Sequence, residues 1–263
     1  MGVRRLVASL CIGASVVVGA PASVFAEPPP PVEVIEVAPD SVPGAGWFHV
    51  VGPSLPAGTA IIRYRNLARA SQVGLAYHGA GALDFWFRAP GPPGQRLTIA
   101  LEALDGFARP LASLGVVRVT TGDAMLPLPK NSGIGRRMVV HSDAQQVWLV
   151  EADGRVVDTF LMSGRRIRTV SGSDQHGVFR VYSKSSVMRY CSPHCGTANH
   201  MVRYQRTAVA SVGTHSLPVE GGRPVQLVQD LGWPLSHGCT RLDVAKARAV
   251  FRWADIGTTV VVL

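Results

Sequence analysis

The densest group of chemically capable side chains lies in Leu235-Ser236-His237-Gly238-Cys239-Thr240-Arg241-Leu242. A thiol reacts as its thiolate, so Cys239 needs a base or positive surroundings. Two histidines are candidates: His237, two residues before it, and His215, in the upstream run His215-Ser216-Leu217-Pro218. His215 ends an expected strand, where a fold can hold a side chain over a pocket, and is therefore the expected base. His237 would then orient the loop or line the pocket. The backbone N–H groups of Gly238 and Cys239 could hold an oxyanion, with Ser236 in the same frame. Arg241 could pair with a substrate carboxylate.

The other cysteines sharpen this assignment. Cys11 lies in the N-terminal apolar run; Cys191, Cys195 and Cys239 remain. Exported thiols tend to pair, and Cys191 and Cys195 are near enough in sequence to form a disulfide. Cys239 is then the odd thiol, and nucleophilic catalysis is the leading reason to keep one. Tyr190-Cys191-Ser192-Pro193-His194-Cys195-Gly196, with His200 nearby, could also be read as a metal site. Its spacing fits common zinc patterns poorly.

Export itself is read from the N-terminus. Arg4 and Arg5 precede the apolar run Leu6 to Ala20, Pro21 breaks it, and Val24-Phe25-Ala26 suits cleavage before Glu27. This is the pattern of a secretory signal at 1–26. The alternative is an uncleaved membrane anchor, because the run is nearly long enough to span. The formal charge is +9, of which the signal carries two. A basic exported chain suits an anionic cell envelope rather than nucleic acid.

Several elements must position these groups. Pro28-Pro29-Pro30-Pro31 favours extended geometry, so 27–45 is expected to be a tether. From 46 to 121, short apolar runs alternate with turn formers: Trp47–Val51, Ala60–Tyr64, Leu83–Phe87, Leu97–Leu101 and Gly115–Val119. This spacing predicts a small β-sandwich, immunoglobulin-like in type. His49 and His78 stand alone in it and read as structural. Pro127, Pro129, Gly133 and Gly135 mark a linker at 122–136. Beyond it, strands are expected at Arg137–Ser142, Gln146–Val150, Arg155–Phe160, Gly177–Tyr182, Met201–Gln205 and Ala208–Thr214, with a turn at Asp153-Gly154. After the cysteine the period changes. Asp243 is a good N-cap, and Val244, Ala247, Val250, Phe251 and Ala254 form an apolar stripe at helical spacing. Gly257 ends that helix and Thr258–Leu263 is a closing strand. The fold class is therefore mainly all-β, in two domains, with one short helix after the nucleophile.

Ser236-His237-Gly238-Cys239-Thr240-Arg241-Leu242 resembles the signature of the L,D-transpeptidases, the YkuD-type domain of peptidoglycan-modifying enzymes. His215-Ser216-Leu217-Pro218 resembles the family's upstream histidine motif, and Leu231-Gly232-Trp233-Pro234-Leu235 the approach to the signature. Gln146 to Gly164 resembles its first hairpin, and Gly257-Thr258-Thr259-Val260 its last strand. The resemblance covers 137–263, and an immunoglobulin-like domain ahead of it resembles actinobacterial members.

It implies that Cys239 is acylated by a tetrapeptide stem, D-alanine leaves, and the amine of a second stem resolves the thioester as a 3→3 cross-link. It implies His215 as base, oriented by the carbonyl of Ser216. No metal or organic cofactor is required, and carbapenem acylation of the thiol is expected. An L,D-carboxypeptidase, a protein-to-peptidoglycan ligase and a silent wall-binding module are the alternatives. One departure is Asp174-Gln175-His176-Gly177, where the family usually carries Thr-Pro-x-Gly.

Overall fold

The computed structural model describes residues 33–36, 47–79, 81–89, 94–121, 125–165, 176–191, 194–207 and 210–263. The expected signal, the four prolines, Asp174 and Gln175 lie outside them.

The first domain is a sandwich of two antiparallel sheets. One has the order β1 (Glu33–Glu36), β2 (Trp47–Ser54), β5 (Ala82–Arg88). The other runs β4 (Val73–Tyr77), β3 (Ile61–Asn66), β6 (Arg96–Leu104), β7 (Pro110–Thr120). The period-2 alternation of β5 and β6 puts Leu83, Phe85, Phe87, Leu97, Ile99 and Leu101 inside. This is the immunoglobulin-like layering that the strand spacing implied. Two strands were not expected. β1 lies within the stretch read as a tether and pairs with β2, so the sandwich begins at least ten residues earlier than its apolar runs suggested. β4 contains Gly74, on which a side chain would collide with the ring of Tyr64; the glycine lets that ring lie against the strand.

The second domain is a second sandwich. A five-stranded sheet has the order β10 (Val156–Leu161), β9 (Gln146–Val150), β8 (Arg137–His141), β18 (Thr259–Val262), β11 (Gly177–Arg180). Its β9–β10 turn is at Asp153-Gly154, with Gly154 at φ 87°. The facing sheet has the order β16 (Arg223–Pro224), β15 (Val219–Glu220), β13 (Cys195–Arg206), β14 (Ser211–Ser216), β17 (Thr240–Leu242), and β12 (Ser183–Cys191) pairs with β13.

Helix α1 (Val244–Trp253) packs on β13, β14 and β17. Asp243 caps it, its carboxylate accepting from the N–H groups of Ala245 at 2.6 Å and Lys246 at 3.1 Å. Ala247, Val250 and Ala254 enter the core with Met138, Val147, Phe160, Val202 and Leu242. Val244 is corrected: as the first helical residue it projects away from the sheet and is exposed. The linker also packs, with Leu126 and Leu128 covering Val139, Trp148 and Val261 on the outer face of the five-stranded sheet.

Candidate active site

The site is built on two adjacent parallel strands. β14 and β17 pair Thr214 with Thr240, His215 with Arg241 and Ser216 with Leu242. Val212 and Leu242 point into the helix-side core, and the Thr240 hydroxyl lies 3.4 Å from that of Tyr204. Side chains alternate across a strand, so His215 and Arg241 project from the opposite face. Cys239 immediately precedes β17. Its Sγ lies 3.8 Å from the carbonyl of Ser211, and the Gly213 N–H bonds to it. Parallel pairing thus brings together a histidine and a cysteine that are 24 positions apart in sequence.

His215 is buried, and its Nδ1 lies 2.6 Å from the carbonyl of Ser216. A carbonyl only accepts, so Nδ1 carries the proton and Nε2 keeps its lone pair. Burial pushes the imidazole pKa down to about 4; the Ser216 bond opposes this, and Arg241 and Arg203 add to it. Burial pushes the Cys239 thiol up, against the Gly213 hydrogen bond and the charges of Arg241 and Arg203. Both groups are therefore held neutral, as a thiol beside a free base rather than as a ready ion pair. Ser216 is itself fixed: its hydroxyl accepts from the Asn199 N–H at 2.8 Å.

The frame around the thiol is made by residues that alternate between support and exposure. Ser236 is buried; its N–H donates to the Gly164 carbonyl at 2.8 Å, and its hydroxyl accepts from the Gly238 N–H at 3.2 Å. His237 is exposed. The Arg241 backbone exchanges two 2.9 Å bonds with Ser163. Its guanidinium Nη1 donates to Gln226 Oε1 and to the Leu235 carbonyl, both at 3.3 Å. Arg241 therefore holds the segment leading into the nucleophile, in addition to any charge it offers a substrate.

Ser163 and Gly164 were not singled out in the sequence. The Ser163 hydroxyl donates to the Trp233 carbonyl at 2.5 Å and accepts from the Leu235 N–H at 3.1 Å. The Gly164 N–H donates to Gln145 Oε1 at 2.5 Å. A Ser-Gly pair after a strand signals only a turn, so nothing local marked them.

Cys191 and Cys195 form a disulfide at the tip of the β12–β13 hairpin. With Tyr190, Gly196, Val219 and Gly221 they line a cleft of about 460 Å³. The Tyr190 hydroxyl donates to Glu220 at 3.0 Å; burial and Glu220 push its pKa up to about 12, against the charge of Arg241. His200, weighed above as a ligand, has its ring 5.6 Å from that of Phe251. Among the described residues, no three His, Cys, Asp or Glu side chains gather as a metal ligand set.

Residues 135–262 match the L,D-transpeptidase catalytic domain, YkuD. No curated protein matches the chain. Among solved structures, an L,D-transpeptidase from Mycobacterium smegmatis is 20% identical, over 89% of this chain and 99% of that one, at TM-score 0.40. An LD transpeptidase, LdtMt1, solved with imipenem is 17% identical over 83% and 92%, at 0.40. An L,D-transpeptidase from Stackebrandtia nassauensis is 18% identical at 0.37; it is matched over 49% of this chain, which spans only 55% of its length. Residues 135–262 are thus a YkuD-type L,D-transpeptidase catalytic domain.

Proposed function

We propose that the protein is an exported cysteine L,D-transpeptidase that forms 3→3 cross-links in peptidoglycan. The observation that carries this reading is the neutral His215, oriented by the Ser216 carbonyl on the strand beside Cys239. His215 Nε2 takes the thiol proton as Sγ attacks the carbonyl of the third stem residue. The oxyanion is held at the Cys239 N–H, because the Gly238 N–H, expected from the sequence as a second donor, is taken by the Ser236 hydroxyl. His215 returns the proton to the departing D-alanine amine, leaving a thioester on Cys239. The side-chain amine of a second stem then attacks, passes its proton through His215, and frees the thiol. Arg241 and the basic surface favour the carboxylates of the stems and an anionic envelope.

Incubation with imipenem followed by intact mass tests the nucleophile. A covalent adduct that disappears in Cys239→Ala supports it; no adduct and no consumption of tetrapeptide stems would favour a silent wall-binding module. Analysis of the products formed from tetrapeptide stems decides the acceptor. A 3→3 dimer supports cross-linking, a tripeptide alone indicates a carboxypeptidase, and stems joined to protein indicate a ligase.

A further inference from the structure

The segment from Gln226 to Leu235 leads into the nucleophile, and three of its buried side chains, Asp230, Trp233 and Leu235, meet the other domain. Trp233 is fully buried, and with Leu235 it sits in the core of the N-terminal sandwich, among Tyr64, Phe85, Phe87 and their neighbours. Its ring centroid is 5.9 Å from that of Tyr64. Asp230 is 1% exposed. Its carboxylate accepts from the Ser71 hydroxyl at 3.1 Å, lies 3.7 Å from the Arg69 guanidinium, and accepts from the Leu227 N–H at 3.2 Å. Gln72, also of the first domain, donates to the Gln229 carbonyl at 3.1 Å.

From there the contacts continue to the site. The Asp230 carbonyl accepts from Gln226 Nε2 at 3.3 Å, and Gln226 Oε1 accepts from Arg241. The Trp233 carbonyl and Leu235 N–H are both held by Ser163, which pairs with the Arg241 backbone. A buried carboxylate must be paired or hydrogen-bonded, and here two of its partners come from the first domain.

We infer that Asp230 and Trp233 are positioning residues, through which the N-terminal sandwich holds the turn carrying Ser236, Gly238 and Cys239 in its reactive geometry. The sandwich is then a working part of the catalytic unit. The kinetic consequence rests on the transpeptidase reading; the geometric one does not.

The test uses the full chain and separates two reactions of the same thiol. Acylation by imipenem needs the oxyanion donor in place, whereas alkylation by iodoacetamide needs only the thiol. In folded Asp230→Asn, the acylation rate should fall about tenfold or more, as expected for a displaced oxyanion donor, with alkylation changed no more than about twofold. Ser71→Ala, which lies wholly in the other domain, should move the same ratio in the same direction. Trp233→Phe, which keeps an aromatic ring in the first-domain core, should restore most of the acylation lost in Trp233→Leu.

Hydrogen exchange of the 236–241 amides gives a readout that needs no turnover. It should quicken by about tenfold or more in Asp230→Asn, while β8 and β9 keep their protection. Unchanged exchange together with an unchanged acylation-to-alkylation ratio would overturn the inference. A wild-type protein that imipenem leaves unmodified would count against the transpeptidase reading alone, and exchange would still decide this one.

Discussion

At the scale of residues, the site separates the two candidate histidines. His215 is buried with one nitrogen fixed, while His237 is exposed two positions from the thiol. His215→Gln should therefore lower acylation at neutral pH by about 10²–10⁴-fold, the usual worth of a general base, and His237→Ala by far less. Depressing a base's pKa means that protonation needs a lower pH. Acylation should accordingly persist through the ordinary imidazole range and decline only as pH falls through about 4. A rate-against-pH profile with its midpoint at the ordinary imidazole value would contradict this. For the thiol, whose pKa is raised, alkylation by iodoacetamide should climb only above the usual thiol range. A high plateau at neutral pH would instead indicate a preformed thiolate. Cys239 and His215 could be found in the sequence because their residue types are chemically distinctive. Ser163, Gly164 and Gln226 could not, because serine, glycine and glutamine acquire these roles only from what the fold places beside them.

At the scale of elements, alternation found most of the longer strands with a buried face and missed β12, which has none. Ser183–Cys191 is half-buried or exposed along its length, so β12 carries no hydrophobic period. It stands as one arm of a hairpin stapled at its tip by the cystine. β1 is four residues at a sheet edge, too short for a pattern. The helix was legible because its stripe and its cap agree. Asp243→Ala removes the acceptor for two N–H groups and should cost about 1 kcal/mol. Urea unfolding should show the midpoint fall with an unchanged slope; no shift would mean that solvent caps the helix equally well. Gly213 is a harsher case. A side chain there would lie 2.1 Å from the Val202 carbonyl oxygen, backbone that cannot move without parting β13 from β14. Gly213→Ala should abolish acylation, and its loss of β13–β14 amide protection would be visible by hydrogen exchange.

At the scale of the whole molecule, the sequence suggested two domains joined by a linker, and both sandwiches are present. What it did not reveal is that the two cores are not independent. Trp233-Pro234-Leu235 reads as an approach to the signature, yet Trp233 and Leu235 complete the core of the first sandwich. In return, Arg88 of β5 is buried and donates to the Ala144 carbonyl and to Gln146 Oε1 at the β8–β9 turn. Exchange of side chains in both directions makes separate unfolding of the halves costly, because the second half alone exposes Trp233 and Leu235, and the first alone loses them from its core together with the acceptors of Arg88. The wild type should therefore unfold in one calorimetric transition. Trp233→Ala leaves a cavity in a core shared by both domains, and truncating a buried tryptophan costs about 3–5 kcal/mol. It should lower the first domain's stability and split the single transition into two, because the contact that couples the halves is the one removed. Two transitions already present in the wild type would show that the shared core is too weak to couple them. A single transition persisting in Trp233→Ala would shift the coupling to Arg88 and Asp230.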